Sequence, residues 1–261
     1  MKRRILITGA TGGLGGGAAL GLAAEHRVTA CGETWSQVRD FRERADREGA
    51  DLEVLKLDLL EPLDLEHAAD RRIDVLVLNA GIQESGSILD VPMERVRASF
   101  EVNVFRHLEL ARMVLPQMLK RRRGRIVWMS SLAGLLAPPF LGTYAATKHA
   151  IEAIAAAMRV ELVGRGISVA TLNPGFYRTG FNDTGAESSR QWAGTRGEQV
   201  RMPPAGPVMA AQHDPQPMID EMVRVIPDLT SRYRTMMPAD AVAEAKAAQQ
   251  LGWTADSSGL P

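Results

Sequence analysis

The run Arg4-Ile5-Leu6-Ile7-Thr8-Gly9-Ala10-Thr11-Gly12-Gly13-Leu14-Gly15 decides the fold. Four largely apolar residues stop at Thr8-Gly9, as a short buried strand would. A glycine-rich turn follows, and then an Ala/Leu-rich run to Glu25 that reads as a helix. Strand, glycine turn and helix in this order let the backbone bend sharply and approach a pyrophosphate, whose charge sits at the helix N-terminus. Gly9, Gly13 and Gly15 occupy the first, fifth and seventh places of that turn, a wider spacing than GxGxxG. A glycine turn that binds nothing would carry the same residues, so the rest of the chain must decide between them.

Working outward, Arg27 to Cys31 predicts a second strand ending at Gly32-Glu33, with a charged surface helix over Trp35 to Glu48. Leu52 to Leu57 predicts a third strand closing at Asp58-Leu59. Ile73 to Leu78 is a continuous apolar run, as a parallel strand buried on both faces would be, and stops at Asn79-Ala80-Gly81. Strands at Arg125–Met129, Ile167–Leu172 and Tyr233–Met237, with intervening helices, extend the pattern. Strands alternating with helices predict an α/β fold: a doubly wound, mostly parallel seven-stranded sheet, Rossmann-like, with helices on both faces. Pro116 predicts a kink or break in the helical stretch from Pro92 to Arg123. Residues 1–261 read as one domain, with a substrate-covering loop around 180–217 in which Trp192, Met202, Val208 and Met209 could close a pocket.

Composition excludes several classes. Lys plus Arg and Asp plus Glu are both 31, so no net field recruits nucleic acid or an anionic membrane. The basic run Lys120-Arg121-Arg122-Arg123 reads as a helix end, where cations suit the macrodipole. No apolar run is long enough to span a bilayer, and the charged start Met1-Lys2-Arg3-Arg4 breaks too soon into glycines for a signal peptide. The single cysteine, Cys31, permits no internal disulfide. These features point to a cytoplasmic protein, and no metal site is expected.

The chemistry centres on Tyr144-Ala145-Ala146-Thr147-Lys148. In a helix, residues four apart share a face, so the Tyr144 phenol and Lys148 ammonium lie side by side. An adjacent ammonium favours the phenolate, which predicts a lowered Tyr144 pKa and a group able to act as general acid or base toward a carbonyl or alcohol. Chance alone can produce this spacing. Every notable cluster, however, falls at the carboxyl end of a predicted strand, the edge where open α/β sheets bind ligands.

Taken together, the pattern from about Arg4 to Thr179 resembles the short-chain dehydrogenase/reductase family in its compact single-domain branch. The resemblance implies an oxidoreductase moving a hydride between a nicotinamide cofactor and an alcohol or carbonyl. Gly9, Gly13, Leu14 and Gly15 would form the cofactor turn; Asp58 and Leu59 would meet the adenine, and Asn79-Ala80-Gly81 would steady the sheet beside it. Asn103, Ser131, Tyr144 and Lys148 match the catalytic tetrad, with Ser131 holding the substrate oxygen and Asn103 anchoring a water that links Lys148 to solvent. Lys148 would also reach the cofactor ribose. Pro174, Gly175 and Thr179 match the nicotinamide segment. Glu33 can accept hydrogen bonds from both hydroxyls of the adenosine ribose and repels a 2′-phosphate, which implies NAD as the preferred cofactor and NADP as the alternative. Homodimers or homotetramers built on the Tyr144 helix and the helix ending near Arg123 are also implied.

Three departures from the family pattern stand out. Leu78 replaces a frequent second asparagine, the helix between Asp58 and Ile73 is short, and Tyr177 replaces a small aliphatic residue. Ile82, Leu132, Pro138, Phe140, Tyr177, Phe181 and Trp192 are candidates for an apolar substrate wall. Two other readings compete: a catalytically silent dinucleotide sensor, and a sugar-nucleotide epimerase or dehydratase. The intact tetrad argues against the first, and the short stretch after Thr179 against the second.

Overall fold

A computed structural model describes residues 2–192 and 212–254 of the chain. Seven strands form one sheet: β1 (Arg4–Ile7), β2 (Arg27–Gly32), β3 (Glu53–Lys56), β4 (Val75–Leu78), β5 (Gly124–Met129), β6 (Ile167–Pro174) and β7 (Arg234–Met237). Their order is β3-β2-β1-β4-β5-β6-β7, and every pairing is parallel. The sheet is therefore wholly parallel rather than mostly so. Strand order reverses between β1 and β4, so the carboxyl ends of these two strands open a crevice.

Period-two alternation assigns each strand residue to a face. Ile5, Ile7, Val75, Val77, Val127 and Met129 pack with the helices α1 (Gly13–Ala23), α2 (Trp35–Arg47) and α8 (Gln216–Val225). Leu6, Leu76, Leu78, Ile126 and Trp128 pack with α3 (Pro62–Ala69), α5 (Arg106–Lys120) and α6 (Gly142–Glu161). Leu78 is thus an ordinary core residue, 1% exposed, and α3 is a short helix of eight residues. Three further helices, α4 (Met93–Phe100), α7 (Phe181–Ser188) and α9 (Ala241–Leu251), lie outside these layers or at their rims.

The helix does not break at Pro116: α5 runs through it. The irregularity lies earlier, in one wide π-helical turn at Glu101–Phe105 that joins α4 to α5 and buries Asn103 and Val104. Such turns are rare and recur at functional sites. The basic run does end a helix: α5 stops at Lys120, and Arg121 and Arg122 hydrogen-bond the carbonyls of Ile73 and Gly164. Of the proposed covering loop, α7 and Trp192 are described, whereas Met202, Val208 and Met209 lie outside the described residues. No helix among the described residues is long and apolar enough to cross a membrane.

Candidate active site

A cleft of about 710 Å³ runs along the carboxyl edge of the sheet, and its two halves are built differently. Gly9, Gly13, Leu14, Gly15, Glu33, Asp58, Leu59, Asn79, Ala80 and Gly81 line one half. Gly9 has φ +60, and a Cβ there would lie 2.7 Å from the Ala80 Cα, so only glycine fits. A Cβ on Gly15 would lie 2.4 Å from Asn79 Nδ2. That amide donates to the carbonyls of Thr8, at 2.8 Å, and Gly9, at 3.0 Å, and so ties the turn to the end of β4. Gly12 precedes α1 and supplies no side-chain cap, leaving the first amides of the helix for another acceptor. A naked helix start on a cleft floored by glycine fits a dinucleotide pyrophosphate. Across the cleft, a Cβ on Gly13 would lie 3.4 Å from the Thr179 side chain, so the segment that holds Pro174, Gly175 and Thr179 faces the same turn.

The other half is made of buried side chains. Tyr144 and Lys148 lie one turn apart on the inner face of α6, 7% and 2% exposed. Lys148 Nζ donates to the Met129 carbonyl at 2.8 Å, at the end of β5, and sits 5.5 Å from the Tyr144 ring centroid. Ser131 begins the short turn after β5, and its hydroxyl accepts from Ala133 N at 3.1 Å and faces the Pro174 carbonyl at 3.5 Å. Burial pushes the Tyr144 phenol above its ordinary value, with a hydrogen bond from Ser131 working the other way. Burial also brings Lys148 down to about 8, opposed by the Glu152 carboxylate. The expected lowering of the Tyr144 pKa is thus corrected. Both groups have left water, and desolvation, which favours the neutral form of each, outweighs the opposing Ser131 and Glu152 interactions.

Asn103 is also beside the pair but differently engaged than expected. Its Oδ1 accepts from Ile82 N at 2.8 Å, and its Nδ2 donates to Ile82 O at 2.9 Å and Thr147 Oγ1 at 3.1 Å. These bonds pin the segment after Gly81 to α6. Behind Ser131 lies a network that the sequence reading missed. Asn173 Nδ2 donates to Ser131 O at 3.1 Å and to Glu152 Oε1 at 2.6 Å, and Arg234 Nη2 donates to Glu152 Oε2 at 2.6 Å. Glu152 stands four residues after Lys148, a spacing that could have flagged it.

Of the expected apolar wall, Ile82, Leu132, Pro138, Tyr177 and Phe181 line the cleft; Phe140 and Trp192 do not. Trp192 instead donates its indole N–H to Glu84 Oε1 at 2.9 Å. Glu84, Arg95 and Gln191 line the same end, which makes it more polar than expected. Tyr177 is buried with the residues packed under α8, and its hydroxyl has no partner among the described residues; burial and nearby Asp240 push it up to about 12.

A parallel sheet with a glycine turn at its switch point, facing a buried Tyr/Lys/Ser cluster, defines the class of nicotinamide-dinucleotide α/β proteins. The model of the short chain dehydrogenase family matches residues 3–189, and the chain belongs to the short-chain dehydrogenase/reductase family, whose members are NAD(P)-dependent oxidoreductases. It is 34% identical over 190 residues to the uncharacterized oxidoreductase YusZ of Bacillus subtilis, covering 70% of this chain and 68% of that protein. The chain spans about two thirds of the length of the curated relatives it matches. A Beutenbergia cavernae protein solved with NADP at low occupancy superposes with a TM-score of 0.71 at 28% identity, over 86% of this chain and 89% of that one. A short-chain dehydrogenase/reductase from Burkholderia phymatum in complex with NAD shares the fold, with a TM-score of 0.75 at 21% identity over 100% and 97%.

Proposed function

We propose that this protein interconverts an alcohol and a carbonyl compound, with NAD preferred over NADP. The observation that carries the reading is the buried pair Tyr144 and Lys148, one helical turn apart on α6 and lining the same cleft as Ser131 and the glycine turn. When bound, the nicotinamide supplies the hydride donor or acceptor. The chain's own work is positional and protonic. Gly9 through Gly15 and Asn79-Ala80-Gly81 receive the dinucleotide, Asp58 and Leu59 flank its adenine, and Thr179 meets the nicotinamide end. Ser131 holds the substrate oxygen beside Tyr144, which gives or takes the proton at Oη. Lys148 steadies the phenolate that remains, and Asn103 keeps the floor of the site in register through Ile82. Residues 1–261 act as one domain, with the segment around 180–217 covering the substrate.

The test is nicotinamide absorbance followed against a panel of alcohols, ketones and aldehydes with each cofactor. Dinucleotide binding without turnover on any of them would favour the silent sensor and end this reading. The same proposal includes a homodimer or homotetramer on the outer faces of the α5 and α6 helices. Ala155 is fully buried in the core and unsuitable as a probe of that interface, but Ala156 is exposed. Ala156→Arg is expected to lower the mass seen by light scattering and to leave the fold intact; a wild-type monomer at micromolar concentration would refute the assembly.

A further inference from the structure

His107, the second residue of α5, is completely enclosed and has no part in the proton chemistry described above. Its ring touches two polar atoms. Nε2 lies 3.1 Å from Thr8 Oγ1, and Nδ1 lies 3.2 Å from the Asn103 carbonyl oxygen. Thr8 Oγ1 already accepts from Asn79 N at 2.9 Å and from Ala80 N at 3.0 Å. A hydroxyl has two acceptor sites and one proton. With both acceptor sites taken, Thr8 must donate its proton to His107 Nε2. A neutral imidazole that accepts at Nε2 carries its own proton at Nδ1, where it can donate only to the Asn103 carbonyl. Each contact fixes the other, and one tautomer satisfies both. A second proton on the ring would face the Thr8 proton, and burial together with the Lys148 charge also keeps the imidazole neutral, with its pKa down at about 4.

We infer that His107 is a positioning residue that couples the two halves of the site, holding the cofactor turn through Thr8 and the Asn103 turn through its carbonyl. The inference rests on the oxidoreductase reading above. The Thr8 end reaches Asn79 and Ala80, which pack against Gly9 and Gly15. The Asn103 end reaches, through the Asn103 amide, Ile82 on one side and Thr147, next to Lys148, on the other. Moving the ring therefore disturbs both the dinucleotide floor and the Lys148 helix. A histidine that merely fills the core would move neither.

Three variants separate these cases. His107→Leu removes both contacts. His107→Asn places an amide N–H where Nδ1 was and keeps the Asn103 bond, whereas His107→Gln places a carbonyl near Nε2 and keeps the Thr8 bond. Dissociation constants for NAD and NADP by calorimetry, and kcat and KM on the best substrate of the panel, are measured for each, with circular dichroism as the check of fold. His107→Leu is expected to weaken dinucleotide binding and to lower kcat, each by about tenfold, with KM for substrate little changed. His107→Asn recovers kcat and not the dinucleotide affinity; His107→Gln recovers the affinity and not kcat. Folded Asn and Gln variants that behave alike, or a folded Leu variant that matches wild type, would overturn the inference. If the Leu variant does not fold, the Asn and Gln pair still decides. A wild type with no turnover is a failure of the oxidoreductase reading, recognised before any variant is made, and the calorimetric comparison of Leu with Gln then still tests the Thr8 contact.

Discussion

On the β1 side of the cleft, contacts come from backbone and from residues whose merit is having no side chain; on the β5–β6 side they come from side chains buried out of water. Gly9 and Gly15 admit Asn79-Ala80 at distances that any Cβ would close. Tyr144, Lys148 and Asn103 are almost wholly enclosed, and each is held by named partners. In the function proposed above, the first half would recognise a dinucleotide by shape and by free amides, and so be sensitive to added atoms. The second half would manage a proton, and so be sensitive to removed ones. Changes in the two halves should therefore separate into loss of binding and loss of chemistry.

Tyr144→Phe gives the largest separation. It deletes the phenol oxygen and keeps the ring, which packs at 6.0 Å from the Phe181 ring. Turnover should fall by at least about a hundredfold, the usual cost of losing a general acid or base. Dinucleotide affinity should stay within about twofold of wild type, since no atom of the glycine turn has moved. Near-normal turnover would remove Tyr144 from the chemistry, and a parallel loss of affinity would show that the halves are not separable.

The same division explains what could be read from the sequence. The glycine turn, the order of strands and helices and the Tyr144/Lys148 spacing are local signals, and the structure reproduces each of them. Ser131, thirteen residues before Tyr144, is legible only through the family resemblance. What escaped were consequences of packing. The wide turn at Glu101–Phe105 has no composition of its own, while Pro116, which has one, leaves α5 unbroken. Ala155 and Ala156 look alike in an alanine-rich helix, yet one faces the core and the other solvent. The direction of the Tyr144 shift depended on desolvation, which no spacing reveals. His107 and Asn173 acquire their roles from partners 99 and 42 residues away in the chain.

Glu33→Arg tests the backbone half with a smaller effect. Glu33 is exposed on the cleft wall after β2, and its amide is capped by Gln37 Oε1 at 2.8 Å. Two like charges about 4 Å apart repel by roughly 4 kcal/mol at an effective dielectric of 20, and solvent reduces this further. A ten- to hundredfold preference for NAD in kcat/KM is what about 1.4–2.8 kcal/mol of that repulsion would leave. Arg39, the nearby cation that could answer a phosphate, is engaged with Asp40 at 3.2 Å and Ser36 at 3.3 Å on its own helix. In Glu33→Arg the ratio of the two specificity constants should move toward NADP by about that factor. A wild type that favours NADP, or a mutant ratio that stays put, would mean that this wall does not read the ribose.

The smallest effect expected is a pH profile, and it sharpens the buried half. Lys148 is held at about 8, against an ordinary value of 10.5, because burial disfavours its charge. Tyr144 is raised for the same reason, so near neutrality the pair consists of an ammonium and a phenol. In carbonyl reduction the phenol gives up its proton, and the ammonium supports the phenolate left behind. Above about 8 that support is withdrawn. The rate of reduction should therefore be level at neutral pH and fall with rising pH, by about tenfold one unit beyond the Lys148 value. Unfolding cannot mimic this through Lys148. A lysine whose folded value lies below its unfolded one weakens the fold at low pH, and that penalty is relieved, not increased, as pH rises from about 8 toward 10.5. Lys148→Arg keeps its charge throughout this range, so its lower rate should show no such fall. A wild-type profile that stays level well above the Lys148 value, or one with the same fall in Lys148→Arg, would assign the ammonium no part in supporting the phenolate.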